Sequence, residues 1–214
     1  MKNFRIVDLS WPIEPGGPSF PGDPPFGWTL AGDYASHGYR DRVLRLHSHT
    51  ATHVDAPAHV LPGGRTLDRL PVDRFFGPAC VADVRGAMDI RTKLLAPYQD
   101  ILAQCDFVLL RTGMEKCWGS REYFESWPGL SPEAAQWLCG LGLKGVGVDA
   151  PSVDAPEAAG LPAHRALLES NMIVVENLRR LDELPAQGFF LSVLPLPITE
   201  ADGSPVRAAG LIPG

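Results

Sequence analysis

The segment His47-Ser48-His49-Thr50-Ala51-Thr52-His53-Val54-Asp55-Ala56-Pro57-Ala58-His59 holds four of the chain's six histidines. Neutral imidazoles and ionised carboxylates each offer a lone pair, and at this density they suit a borderline metal such as zinc. A helix would put His49 and His53 on one face but rotate Asp55 away from them. Thr50, Thr52 and Val54 are β-branched and favour extended backbone, in which His49, His53 and Asp55 share parity and point the same way. Four residues of strand span roughly 13 Å, whereas the ligands of one metal sit about 2 Å from it, so the chain must bend between His49 and His53. Ala51, the smallest residue there, is the expected bend. Pro57 fixes its own φ and holds Ala56 extended, which returns His59 toward the site as an acid or base beside the metal rather than as a ligand. His47 shares the parity but adds one ligand too many, so a structural or outer-sphere role is expected for it. A solvated strand accounts for one or two histidines; three with an aspartate and a proline in this order argue for a metal.

A second group lies downstream. His164 opens a helix candidate, and Glu176 ends the apolar run Ile173-Val174-Val175, the kind of strand end where α/β proteins place ligands and catalytic groups. Composition alone leaves this pair open between a second metal cluster and a helix-surface histidine with an edge glutamate. Asp149 and Asp154 also follow a strand, and loop bonding of the Asx-turn kind is favoured for them over orienting a histidine. The proline- and glycine-rich stretch 15–25 carries Phe20 between prolines, with Trp11 and Trp28 nearby. It reads either as the wall of an aromatic pocket or as a surface loop with its rings in the core.

The histidine segment resembles the signature of the metal-dependent cyclase-like hydrolase family, which includes bacterial kynurenine formamidases and isatin hydrolases and reads His-Thr-Gly-Thr-His-x-Asp-x-Pro-x-His. Ala51 stands where that motif has glycine, which matters if the position requires positive φ. The resemblance implies metal ligands at His49, His53 and Asp55 and second-metal ligands at His164 and Glu176, which keep the family's spacing of twelve residues. It also implies two divalent ions, zinc or manganese, bridged by Asp55, and a homodimer. The family's Pro-x-Trp-Pro-Gly-Asp loop supplies a substrate-contacting tryptophan; here Phe20 takes that position and binds substrate through a ring without the indole. The implied architecture is a swivelling β/β/α fold.

Composition agrees with a single α/β domain over residues 1–214: 45% of the residues are hydrophobic and 21% charged. A net charge of −6 with no basic run argues against nucleic acid as a partner. No segment has the length of a signal peptide or about eighteen uninterrupted apolar residues, so a cytoplasmic protein without membrane partners is expected. Cys80, Cys105, Cys117 and Cys139 form no Cys-x-x-Cys pair and are expected as buried reduced thiols. Apolar runs predict strands at 4–10, 43–46, 79–84, 106–112, 145–149, 172–176 and 189–196, most of them buried on both faces. Helices are expected near 92–104, interrupted by Pro97, from Ser131-Pro132 through about Leu141, and over 161–169. Alternating strands and helices give a mixed sheet, to which the histidine-bearing strands add a barrel-like part. The tail is expected to turn at Asp202-Gly203-Ser204-Pro205 between two short extended pieces.

The expected activity is hydrolysis of a small amide or cyclic amide, with a metal-activated water attacking the carbonyl and His59 carrying a proton to the departing nitrogen. On the resemblance, N-formylkynurenine is the first substrate, with isatin, cyclic imides and lactones as alternatives. A non-catalytic relative would keep the cluster and close the coordination shell, with His47 in the open position. No Gly-x-Ser-x-Gly elbow supports a serine hydrolase.

Overall fold

The strand Phe107–Arg111 shows how the core is built. Phe107 and Leu109 face one hydrophobic cluster, Val108 and Leu110 face another, and all four are fully buried. A strand covered on both sides loses its polar alternation, which is why these runs read as continuously apolar. In the computed structural model, which describes residues 3–214, this strand lies at the centre of a nine-stranded sheet. From edge to edge the strands are Phe4–Asp8, Ala209–Pro213, Phe189–Ser192, Phe76–Asp83, Phe107–Arg111, Gly145–Val148, Ile173–Glu176, His53–Asp55 and Gly203–Pro205. The four strands from Phe76–Asp83 to Ile173–Glu176 run parallel, and every other pairing in this sheet is antiparallel. The sheet curls into a half-barrel, so the mixed α/β architecture expected from the sequence is the one observed.

Helices cover one face. Pro132–Cys139 and Pro162–Glu169 pack against each other, and Leu138, Leu167 and Leu168 enter the cluster formed by Cys80, Val108, Val146 and Val174. Ser131 caps the first of these helices through its side chain, which accepts from Ala134 N at 3.2 Å, and Pro132 occupies the first turn, where its missing N–H costs nothing. The helical stretch around Pro97 breaks into Thr92–Leu95, a 3-10 turn Ala96–Tyr98, and Gln99–Leu102. No helix of the described residues is long and apolar enough to cross a membrane.

Several expectations need correction. The strand preceding the histidine segment, Asp41–Arg45, is not in the main sheet; it pairs only with Gly27–Gly32 in a separate ribbon, and all five of its residues are exposed. Gly203–Pro205 is an edge strand rather than a turn, paired to His53–Asp55, and an edge tolerates Pro205 because one side of the strand needs no donor. Only Cys80 is fully buried; Cys105, Cys117 and Cys139 are half-buried, and all four are free thiols.

Gly145 shows how closely the parallel strands are fitted. It pairs with Phe107 on one side and Ile173 on the other. A Cβ there would meet Ile173 O at 2.7 Å and the Phe107 ring at 3.1 Å. Backbone oxygen within a ladder has nowhere to go, so Gly145→Ala should destabilise the fold by about 1–3 kcal/mol. The measurement is the urea midpoint, and an unchanged midpoint would contradict this packing.

Candidate metal centre

His53 and Asp55 lie on the short strand His53–Asp55, where they share a face as expected. His49 does not. It sits in a turn, so strand parity is not what brings it to the site. The chain instead folds back through Ala51, which adopts φ +52°, the left-handed conformation that alanine takes only at a cost. The rings of His49 and His53 consequently meet at right angles with centroids 5.0 Å apart. Ala51 O accepts from the buried amide of Asn177 at 2.9 Å and from His53 Nδ1 at 2.8 Å. Asn177 is itself at φ +56° and accepts from the Tyr123 hydroxyl at 2.7 Å. With Nδ1 donating to a carbonyl, His53 presents the lone pair of Nε2 to Asp55 and Glu176, at 3.3 and 3.5 Å.

Ala56 is extended and Pro57 opens a 3-10 turn ending at His59, which carries that ring back over the site. It lies 4.1 Å from the ring of His49 and 5.7 Å from that of His164. His49 completes its contacts with Nδ1 at 2.8 Å from Asp55 Oδ1 and Nε2 at 2.9 Å from Asp202 Oδ2. Gly203 makes the space for it: a Cβ there would stand 2.7 Å from His49 Cε1.

The second half of the site hangs on Asp154. Leu161, at the start of the helix Pro162–Glu169, has no side chain to cap it, and Asp154 does so from a distance, accepting from Ala163 N at 2.7 Å and His164 N at 3.0 Å. The same carboxylate takes His164 Nδ1 at 2.7 Å. Asp154 therefore orients a histidine, contrary to the turn role expected of it. Asp149 does stay structural, binding the backbone N–H groups of Thr112 and Gly113 at 2.7 and 2.8 Å. With its Nδ1 engaged, His164 turns Nε2 toward Glu176 Oε1 and Asp55 Oδ2, at 3.2 and 3.5 Å. Glu176 is fixed in turn by Val153 N, which donates to Oε1 at 2.9 Å.

Two imidazole nitrogens thus face two carboxylates in a buried space, an arrangement that calls for a proton or a cation between them. His164 Nε2 and Asp55 Oδ2 are buried with no hydrogen-bond partner. Such a set is stable only around positive charge. Burial opposes charge on His53, yet Asp55 and Glu176 more than offset it and raise its pKa to about 10. Burial likewise opposes charge on His164, and Glu176 and Asp154 push its pKa well up. Burial would raise the pKa of Asp55, but His53, His164 and His49 hold it well below the usual carboxylate range. The donor set fits a divalent metal, whose ligands must be neutral imidazole and ionised carboxylate. Two groups of atoms lie close enough to hold an ion, His49–Asp55–His59 and His53–Asp55–Glu176, and Asp55 belongs to both. His59 thus stands among potential ligands as well as in reach of a proton. Burial lowers its pKa, with the Asp55 carboxylate acting in the opposite sense.

Over this floor opens a cavity of about 490 Å³, lined by His49, His53, His59, His164 and Glu176 and walled by Phe20, Trp118, Phe124 and Trp127. Phe20 meets Phe124 and Trp127 edge-on, with centroids 6.0 and 6.2 Å apart. Trp127 is locked by donating Nε1 to Asp154 O at 2.7 Å. His47 also faces the cavity but belongs to neither metal-binding group.

A sequence profile described as "Putative cyclase" matches residues 7–155. The kynurenine formamidase of Salinibacter ruber (strain DSM 13855 / M31) is 35% identical over 214 residues, covering 96% of each chain. The chain belongs to the putative cyclase family. Two solved isatin hydrolases have the same fold. Isatin hydrolase A from Labrenzia aggregata, bound to benzyl benzoate, superposes with a TM-score of 0.87 at 27% identity, covering 99% of this chain and 94% of that one. An isatin hydrolase bound to the product analogue thioisatinate gives 0.85 at 27% identity, covering 99% and 93%. Membership of this cyclase family makes the chain a metal-dependent hydrolase.

Against its family's motif, the cyclase site departs at the bend. The positive φ at Ala51 is the conformation for which glycine is suited, and alanine holds it under strain of about 1–2 kcal/mol. Ala51→Gly should therefore raise stability by about 0.5–1 kcal/mol after the entropy of the unfolded glycine is subtracted, read as a higher urea midpoint. A lower midpoint would mean the bend carries no strain. Gly203→Ala should crowd the ring of His49 and weaken metal binding by about tenfold or more, measured by competition with a chelator. Wild-type affinity in that variant would show that the ring is free to move.

Proposed function

We propose that this hydrolase cleaves the carbon–nitrogen bond of a small aryl amide, with N-formylkynurenine the first substrate, releasing formate and kynurenine. The observation that carries the reading is the buried acceptor cluster, His53 Nε2 and His164 Nε2 against Asp55 and Glu176, beneath an aromatic-walled cavity. His49, His53, Asp55, His164 and Glu176 would hold two ions, zinc or manganese, with Asp55 between them. A divalent cation in such a site lowers the pKa of bound water to about 7 and polarises a carbonyl oxygen. The 35% identity to a kynurenine formamidase supports the formamide, and the aromatic wall supports an aryl group on its nitrogen. Isatin and cyclic imides form the second class, favoured by the likeness to isatin hydrolases.

The protein's own residues carry the rest. Phe20 and Trp127 hold the aryl ring and exclude water from its faces. His59 takes a proton from the attacking water and gives one to the departing nitrogen, because an aniline leaves poorly as an anion. Burial favours its neutral form, which can do both. Asp202 Oδ2, 3.5 Å from His59 Nδ1, favours the tautomer that leaves Nε2 for the reacting proton. As water adds to the formyl carbon and the C–N bond breaks, that proton neutralises the nitrogen and formate departs.

A homodimer is part of this proposal. The ribbon of Gly27–Gly32 and Asp41–Arg45 exposes Leu30, Val43 and Leu44, and two strands alone are marginal in water, so a second copy packing against it accounts for its persistence.

The deciding experiment is elemental analysis of the purified protein together with turnover of N-formylkynurenine, isatin and a set of cyclic imides, with and without chelator. Metal bound, with formamide turnover abolished by chelation, is the expected outcome; metal-free protein at full activity would overturn the reading. His59→Ala should retain metal and lose about 10²–10⁴ in kcat. Loss of metal in that variant would make His59 a ligand instead, and near-wild-type turnover would remove it from proton transfer. His53→Ala should lose metal altogether, and full occupancy there would mean a different ligand set.

A further inference from the structure

The cavity above the metal-binding floor is one-sided in charge. Among the described residues that line it there is no lysine or arginine, and apart from histidines the charged side chains are Asp23, Asp154, Glu176 and Asp202. Three of these are already engaged. Asp154 and Glu176 are buried and bound to His164 and to backbone N–H groups, and Asp202 accepts from His49. Asp23 is different. Its carboxylate stands 3.6 Å from His47 Nδ1, beyond hydrogen-bond length, and the side chain is 32% exposed against 0% for Asp55. It therefore stands on the solvent side of the cavity, outside both groups of atoms that could hold an ion, with hydrogen-bonding capacity to spare.

Its position is not accidental to a loose loop. Asp23 N donates to Phe20 O at 3.0 Å, closing the turn Phe20-Pro21-Gly22-Asp23, with two prolines close by and Gly22 at φ +97°. One tight turn thus carries both the carboxylate and the Phe20 ring, and that ring is packed edge-on against Phe124 and Trp127. A carboxylate set beside aromatic rings is the chemistry that recognises an ammonium group, by a charge-assisted hydrogen bond and by attraction of the cation to the π-faces. A carboxylate on the same part of a ligand would meet Asp23 with no lysine or arginine among the cavity residues to receive it.

The geometry points to Asp23 as a specificity-determining residue: the site selects aryl amides whose portion remote from the scissile bond carries an ammonium group over those that carry a carboxylate there. This rests on the amide-hydrolase reading above. It divides the roles of the two charges on N-formylkynurenine, whose ammonium group is the one recognised and whose carboxylate is left to solvent.

The test uses the metal-loaded enzyme and three ortho-acyl formanilides that differ only in the tail of the acyl group, one ending in an ammonium group, one in a methyl group and one in a carboxylate. For the wild type, kcat/KM should fall in that order. In Asp23→Asn the ratio of ammonium to methyl compound should drop about five- to tenfold, with the change in KM rather than kcat, and Asp23→Glu should recover part of it. A preference of the wild type for the carboxylate compound, or an unchanged ratio in Asp23→Asn, would overturn the assignment. Failure of the reaction reading is separate and visible, since none of the three formanilides would then turn over. In that case calorimetric dissociation constants of the three corresponding anilines, in wild type and Asp23→Asn, give the same ratios without any chemistry and decide the charge preference by themselves.

Discussion

Everything near the site is arranged around a single electrostatic problem: lone pairs converge on the buried floor of a cavity. His53 Nε2, His164 Nε2, Asp55 and Glu176 meet in a space with almost no exposure, and without a proton or a cation no donor lies among them. Left neutral, such a set would be repelled and desolvated at once. Positive charge is the only remedy. The raised pKa of both histidines and the lowered pKa of Asp55 express the same demand, the former as affinity for protons and the latter as refusal of them.

The surrounding scaffold makes that convergence obligatory. Each imidazole has its other nitrogen committed: His53 to Ala51 O, His164 to Asp154, His49 to Asp202. Those commitments settle which nitrogen faces the centre, in the manner by which outer partners orient metal ligands. Ala51 and Asn177 hold left-handed backbone conformations, and strain of this kind persists where neighbouring contacts over-determine the local structure. Here the Tyr123 hydroxyl, the Asn177 amide and the Ala51 carbonyl form the chain of bonds that does so.

The clustering of histidines with Asp55 and the bend at Ala51 were legible in the sequence because they depend on local facts, the density of histidines and the size of one residue. The parallel core was legible for a similar reason, since strands covered on both faces announce themselves by unbroken apolar runs. What escaped was whatever depends on distant partners. Parity placed His49 correctly for the wrong reason, because a turn rather than a strand delivers it. Asp154 looked like an ordinary loop aspartate, and only the tertiary fold brings it to the bare N-terminus of Pro162–Glu169 and to His164 together. Asn177 and Tyr123 carried no signal at all, being single polar residues outside any recognisable motif. Asp202 was hidden in a segment whose glycine and proline mimic a turn, although its place beside an edge strand follows from the gap that Gly203 leaves for an imidazole.

The double duty of Asp154 ties the mechanics of a helix to the chemistry of the centre. One carboxylate secures the first turn of Pro162–Glu169 and the ring of His164, so neither can be released without loosening the other. Fraying of that helix and opening of the liganding pocket are then one local event with one free energy. An ion held on the far side of the imidazole would act as a fastener for secondary structure, and the durability of this end of the molecule would rise and fall with its loading.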